Sequence, residues 1–103
     1  MSELSAELSA EDAKLFTLAR AARARVGAEE GAAVRDGDGR SYTGVAVVQP
    51  SFQVSALQLA VASALAAGAS TLEAAVVVTG SGDVDTTAVT DMAPQAPVRV
   101  MQT

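Results

Sequence analysis

Residues 31–48, GAAVRDGDGRSYTGVAVV, decide the fold of this chain. Two segments rich in Val, Ala, Tyr and Thr, residues 31–35 and 40–48, flank the turn sequence DGDG. An Asp-Gly repeat between such flanks predicts a β-hairpin. The alternative interpretation of the two aspartates is a calcium loop, but such a loop needs several more oxygen ligands and a bidentate Glu nearby.

A charge-free segment follows the turn, from Ser41 to Leu72. Its centre, from Val54 to Ala67, is dominated by Ala, Leu and Val, which predicts a helix that Gly68 would end. A helix that is apolar on nearly all sides is buried on nearly all sides, and one sheet of a small domain covers only one face. We therefore expect a homo-oligomer, a dimer or tetramer, packed through this helix.

The flanks of the charge-free segment complete a single α/β domain over residues 1–103. Apolar residues recur at helical spacing over residues 8–26, with Ser9 as a plausible N-cap and Gly27 at the end. Residues 1–7 would extend this helix or fray. Residues 73–79 predict a strand covered on both faces, which together with the hairpin indicates a mixed sheet. A short helix over 86–92 and a last strand over 98–102 would follow.

Composition excludes several classes of function. The chain has a formal net charge of −5 and contains no cysteine and no histidine, so it has neither a thiolate nor an imidazole for catalysis or metal binding. The acidic balance argues against a nucleic-acid partner, since phosphate binding needs clustered Lys and Arg. The central segment falls short of the about 20 apolar residues that span a bilayer, and no signal peptide is visible. We expect a cytoplasmic protein without a membrane partner.

The hairpin resembles that of the zinc-dependent cytidine deaminases. The similarity rests on GAAV at 31–34 and DGRSYTGV at 38–45, and it continues through AAGA at 66–69 and the strand at 72–78. It covers roughly residues 11–79. The resemblance implies a three-layer α/β/α fold with a small mixed sheet, in a chain truncated at its C-terminus relative to the family.

The resemblance also implies where a deaminase site would lie. Family members bind zinc through a Cys or His at the head of the central helix and through a Pro-Cys-x-x-Cys motif at the next helix, and an adjacent Glu moves protons. Here the first ligand position is Leu57 and the Glu position is Leu59, and GSGDVD follows the strand at 80–85. We expect no zinc, no other cofactor and a closed, apolar site.

Three substrate-facing positions of the family differ as well. Ala46 replaces an asparagine, Val48 replaces a glutamate, and Ala28 lies near a pocket phenylalanine. Ligands, base and substrate contacts are thus lost together. The chain is predicted to be a deaminase-like pseudoenzyme, a non-catalytic oligomeric scaffold or regulatory binding module.

Two other functions stay open at this point. A nucleoside or small-metabolite sensor would use Tyr42, Gln49, Gln53 and Gln58 as polar contacts, although the tyrosine could instead pack in the sheet and the glutamines lie in loops or an interface. A metal-independent or magnesium-dependent enzyme would use the acids Asp83, Asp85 and Asp91. Solvated loops collect aspartate for other reasons, so these acids predict little on their own.

Overall fold

Within residues 9–103, which the computed structural model describes, the chain forms three helices and six strands. In chain order they are α1 (Ala10–Val26), β1 (Glu30–Asp36), β2 (Ser41–Val45), β3 (Val47–Gln49), β4 (Phe52–Val54), α2 (Ala56–Ala66), β5 (Leu72–Thr79), α3 (Thr87–Met92) and β6 (Val98–Gln102). The predicted extension of the first helix into residues 1–7 lies outside the described residues.

Helix α1 has the predicted caps. The hydroxyl of Ser9 accepts a hydrogen bond from the Asp12 N–H at 3.0 Å, which satisfies one of the free donors of the first turn. Gly27 ends the helix in the left-handed conformation, with a φ of 64°. The sequence pattern therefore located both ends of this helix.

The hairpin contributes two strands to a four-stranded mixed sheet, as predicted. Strands β1 and β2 are antiparallel, with Ala33 opposite Thr43. Strand β5 pairs antiparallel with β1, and β6 pairs parallel with β5, so the order is β2-β1-β5-β6. The sheet and its covering helices have the α/β architecture that the resemblance implied.

The predicted strand over residues 40–48 is wrong in its second half. Strand β2 ends at Val45, which lies opposite Gly31, so only Glu30 of β1 extends beyond this pair. The chain then forms a separate two-stranded ribbon, in which Val48 of β3 pairs with Gln53 of β4. Val54 accordingly belongs to β4, and helix α2 begins two residues later than the pattern predicted.

Helices cover both faces of the sheet, which gives three layers. Helix α1 packs on one face around a core of Leu15, Phe16, Ala19, Ala33, Ala74, Val76 and Val78. Helices α2 and α3 pack on the other face around a second core of Ala32, Val34, Ala56, Leu57, Ala60, Val61, Ala64, Leu72, Ala75, Val77, Val89 and Ala93. The high content of alanine is explained by these two thin interfaces, where small side chains let helix and strand backbones come close.

Two hairpin glycines make this close packing possible. A Cβ atom on Gly31 would collide with the carbonyl oxygen of Ala19 in α1. A Cβ atom on Gly44 would collide with the carbonyl oxygen of Ala56 in α2 and would lie 2.5 Å from the Ala60 nitrogen. Each of these two helices therefore packs closely against one glycine of the hairpin, α1 against Gly31 and α2 against Gly44.

Helix α2 is not buried on nearly all sides, contrary to the expectation from its composition. Ala56, Leu57, Ala60, Val61 and Ala64 face the sheet and are buried. The opposite side, with Gln58, Ala62, Leu65 and Ala66, is exposed. A single sheet covers only one face of the helix, so within residues 9–103 an apolar outer face stays uncovered.

Candidate functional site

The head of α2, where a deaminase would hold its metal, is apolar. Leu57 is only 1% exposed and belongs to the core cluster that includes Val34 and Val77. Leu59 is half-buried, and its Cβ atom would lie 2.9 Å from a Cβ atom on Gly44. Neither leucine carries a donor atom for a metal or a group that could exchange a proton. The residues at these positions do not fit a zinc ion.

The first turn of α2 is stabilised by side-chain capping rather than by a ligand. The Ser55 N–H donates to Gln58 Oε1 at 2.9 Å, and the Gln58 N–H donates to Ser55 Oγ at 3.1 Å. This reciprocal pair is a capping box. Gln58, one of the predicted ligand contacts, therefore already has a structural partner for its carbonyl oxygen.

The start of the next helix, α3, is held by a local hydrogen-bonded turn. Its first residue, Thr87, donates from both its backbone N–H and its hydroxyl to Asp85 Oδ1. These two hydrogen bonds lower the pKa of the Asp85 carboxyl. Within residues 9–103 no cluster of three or more His, Cys, Asp or Glu is placed to hold a metal ion. The structure thus does not bring Asp83, Asp85 and Asp91 together as a magnesium site.

Tyr42, another predicted ligand contact, lies in the hairpin. Its hydroxyl donates to Asp36 Oδ2 at 3.0 Å, and the other oxygen of Asp36 accepts from two turn N–H groups, those of Asp38 and Arg40. Burial raises the pKa of the Tyr42 hydroxyl, and the bond to the carboxylate raises it further. Burial alone would raise the pKa of Asp36, but the three hydrogen bonds it accepts outweigh burial and the pKa is lowered. The pair stabilises the turn.

Two of the four predicted contacts lie together in a groove between β4, α2 and α3. Gln53 and Gln58 line this groove, whereas Tyr42 and Gln49 do not. The groove has a volume of about 630 Å³ and is lined by Gln53, Val54, Gln58, Val61, Ala62, Leu65, Ala88, Asp91 and Met92. Its walls are mainly apolar, and a single carboxylate, that of Asp91, lies among them.

A second, more polar cavity lies where the sheet ends at Thr79. It has a volume of about 390 Å³, and Ala46 lines it together with Arg23, Glu29, Glu30, Thr79, Gly80 and Ser81. Ala28 lines a neighbouring cavity, and Val48 is 71% exposed on the ribbon. The three substrate-facing positions of the family are therefore not gathered in one pocket here, and neither Leu57 nor Leu59 lines this cavity or the groove.

The sequence did not indicate the polar pair in this second cavity. The Thr79 hydroxyl donates to Glu30 Oε2 at 2.9 Å and accepts from the Ser81 N–H at 3.1 Å. Thr79 is 1% exposed, so this bond fixes one oxygen of the carboxylate from inside the sheet. The two residues come from β1 and β5, far apart in the chain, and no spacing rule links them.

Arg20 and Arg23 of α1 form side-chain contacts with other parts of the fold. Arg23 donates from Nε to the Ala28 carbonyl oxygen at 3.2 Å and from Nη1 to the Thr103 hydroxyl at 2.8 Å. Arg23 and Arg25 lie in the last turn, where positive charge favours the helix C-terminus. Arg20 contacts the sulfur of Met101 in β6. Arg20 and Arg23 are therefore held by contacts within the fold.

Comparison with known proteins identifies the family. The family model described as cytidine deaminase-like matches residues 8–103. Because this match covers nearly the whole chain, the protein belongs to the cytidine deaminase-like family.

One solved structure extends this comparison to the fold. The chain is similar to a cytidine deaminase from Burkholderia pseudomallei, with 27% sequence identity and a TM-score of 0.61. The similar region covers 73% of this chain and 65% of that deaminase chain, so this chain spans just under two thirds of the deaminase. No curated protein sequence matches. No helix within residues 9–103 is long and apolar enough to cross a membrane.

Proposed function

We propose that this chain is a non-catalytic member of its family, a cytoplasmic protein that acts as a self-associating scaffold or regulatory binding module. The observation that carries the proposal is the burial of Leu57, which is 1% exposed in the core at the head of α2. A metal ion at this position would need a donor atom and space, and the leucine supplies neither.

The chemistry of the deaminases supports the same proposal. Their zinc ion lowers the pKa of a bound water, and their Glu moves the proton. This chain contains no cysteine and no histidine, and Leu59 stands at the position that the resemblance gives to the Glu. Aliphatic side chains at these positions remove the cost of burying polar groups and favour a stable core over a reaction.

The outer face of α2 and the adjoining ribbon support self-association. Leu65 is 53% exposed on the helix, and Phe52 and Val48 are 54% and 71% exposed on the ribbon. Exposed large apolar side chains of this kind occur at interaction sites. Each copy of the chain has a net charge of −5, but the segment from Ser41 to Leu72 has no charge. Two copies can therefore meet at this segment without bringing like charges together.

The test of this interface is sedimentation of the purified chain at micromolar concentration. We expect a dimer or tetramer for the native chain and a smaller species for Leu65→Glu, because the new carboxylate would be buried at the interface. Val26→Glu is the matched control, since Val26 is 62% exposed at the far end of α1. A native chain that sediments as a monomer would refute the scaffold proposal.

A second candidate function, a small-metabolite sensor, is favoured by the groove between β4, α2 and α3. Its volume of about 630 Å³ is large enough for a metabolite, and Gln53 and Gln58 offer polar contacts among apolar walls. A ligand that binds only the folded chain raises its melting temperature. Thermal-shift screening of nucleosides and nucleotides tests this function, with Gln53→Leu as the variant expected to abolish any shift.

A further inference from the structure

The outer edge of β6 has no partner strand in the part of the chain that the structure describes. Strand β6 is the last of the order β2-β1-β5-β6 and pairs only with β5. An open edge presents backbone N–H and C=O groups that another strand can bind. Lysine and proline are two residues that often protect such an edge, and the strand Val98–Gln102 contains neither.

The hydrogen bonds to β5 define which residues of β6 face outward. The Ala75 N–H donates to the Pro97 carbonyl oxygen at 3.0 Å, and the Thr103 N–H donates to the Thr79 carbonyl oxygen at 2.9 Å. Alternate residues of a strand bond to the same side, so the odd-numbered residues 97 to 103 face β5. The backbone groups of Val98, Val100 and Gln102 therefore point to the open edge.

The strand is complementary to a second copy of itself. If two β6 strands run antiparallel about a two-fold axis at Val100, that residue pairs with its own copy, Val98 lies opposite Gln102, and Arg99 lies opposite Met101. This register uses every outward backbone group, for about six hydrogen bonds between the chains. No like charges stand directly opposite one another, because Arg99 carries the only charge in β6.

The side chains of β6 do not obstruct this pairing. Arg99 is directed to its own chain, where its Nε lies 3.7 Å from Asp12 Oδ2. Val98 packs with the core under α2 and α3, whereas Met101 packs with the core under α1. Val100, at the centre of the register, is 36% exposed.

We propose that β6 is a second self-association surface, at which two copies of the chain join their sheets edge to edge. The product is a continuous sheet with four strands from each copy. This surface is separate from the outer face of α2, and either contact can form without the other.

Disulfide trapping tests the register, because the native chain has no cysteine. Val100→Cys places two sulfurs across the two-fold axis, with Cα atoms about 5.5 Å apart, which suits a disulfide. In Val98→Cys the two cysteines lie about 14 Å apart and do not react. We expect Val100→Cys to form a covalent dimer without a second variant. We also expect a covalent dimer when Val98→Cys is mixed with Gln102→Cys, because these positions lie opposite each other in the register. No covalent dimer from Val100→Cys, or equal cross-linking of Val98→Cys alone, would overturn the proposal.

Sedimentation of Val100→Pro tests the hydrogen bonds. The substitution removes an outward N–H and no bond to β5, so we expect the dissociation constant of the edge contact to rise about tenfold or more. Val100→Lys, which sets two ammonium groups opposite each other, is a second variant with the same expected result. Val26→Lys is the exposed control that leaves association unchanged. If both Val100 variants associate with the same dissociation constant as the native chain, the proposal is overturned.

Repeating these measurements with Leu65→Glu separates the two interfaces. If Leu65→Glu changes nothing while the Val100 variants dissociate the protein, the α2 interface fails and the β6 contact stands. If Leu65→Glu alone produces monomers in which Val100→Cys does not cross-link, the β6 contact fails and the α2 interface stands.

Discussion

At the scale of single residues, the structure explains why the hairpin sequence is so distinctive. Asp36 is 3% exposed and accepts hydrogen bonds from Tyr42 and from two backbone N–H groups of the turn. The Asp-Gly repeat predicted the turn correctly, but it did not indicate that the first aspartate is its buried centre. That role depends on the tyrosine six residues away, whose side chain lies on the same side of the hairpin.

Asp36→Asn tests this centre through the pH dependence of stability. The folded-state pKa of Asp36 is lowered, so its contribution is present above the ordinary aspartate pKa of about 3.9 and is lost as pH falls through the folded value. We expect the variant to melt about 5 °C lower at pH 7, with a difference that shrinks below about pH 4. Tyr42→Phe, which keeps the charge, should retain most of the pH dependence. An equal difference in melting temperature between the native chain and Asp36→Asn at pH 3 and at pH 7 would contradict this account.

Leu57→Ala tests whether the head of α2 is core. Removing a fully buried leucine leaves a cavity, and we expect unfolding by urea to show a loss of about 2 to 5 kcal/mol. Leu59→Ala is the neighbouring control. Because Leu59 is only half-buried, this substitution should lower the free energy of unfolding by less than Leu57→Ala does. A negligible effect of Leu57→Ala would mean that the site has room for a ligand after all.

At the scale of elements, the sequence predicted the three helices and most strands, including the short helix α3 and the last strand β6, but it missed the ribbon of β3 and β4. Helix α1, the hairpin and β5 were all expected, because each has a clear apolar pattern and a cap or turn at its end. The ribbon of β3 and β4 was missed, since strands of three residues carry little periodicity. The start of α2 was placed too early for the same reason, because Val54 fits a helix or a strand equally well.

Gly44→Ala tests the contact between the hairpin and α2. The added Cβ atom would meet the backbone of Ala56 and Ala60, which cannot move without shifting the helix. We expect a loss of about 1 to 3 kcal/mol in the free energy of unfolding. Gly80→Ala is the control, because a Cβ atom there has no neighbour within 4 Å. Equal stability of the two variants would contradict the packing described for α2.

At the scale of the whole molecule, the chain keeps the architecture of a deaminase-like domain, and leucines stand at the two positions that the resemblance gives to a zinc ligand and the catalytic Glu. Glycines and alanines let the helices pack closely on the sheet, and this close packing specifies the fold. The groove and the Ala46 cavity were not predictable from sequence, because both are assembled from elements distant in the chain.

The central claim is that this family member does not catalyse deamination. The most direct measurement is the rate of cytidine deamination by the purified protein at micromolar concentration, with zinc added to the assay. The burial of Leu57 and the leucine at position 59 predict a rate equal to that of the heat-denatured protein. A higher rate that a metal chelator abolishes would contradict the claim.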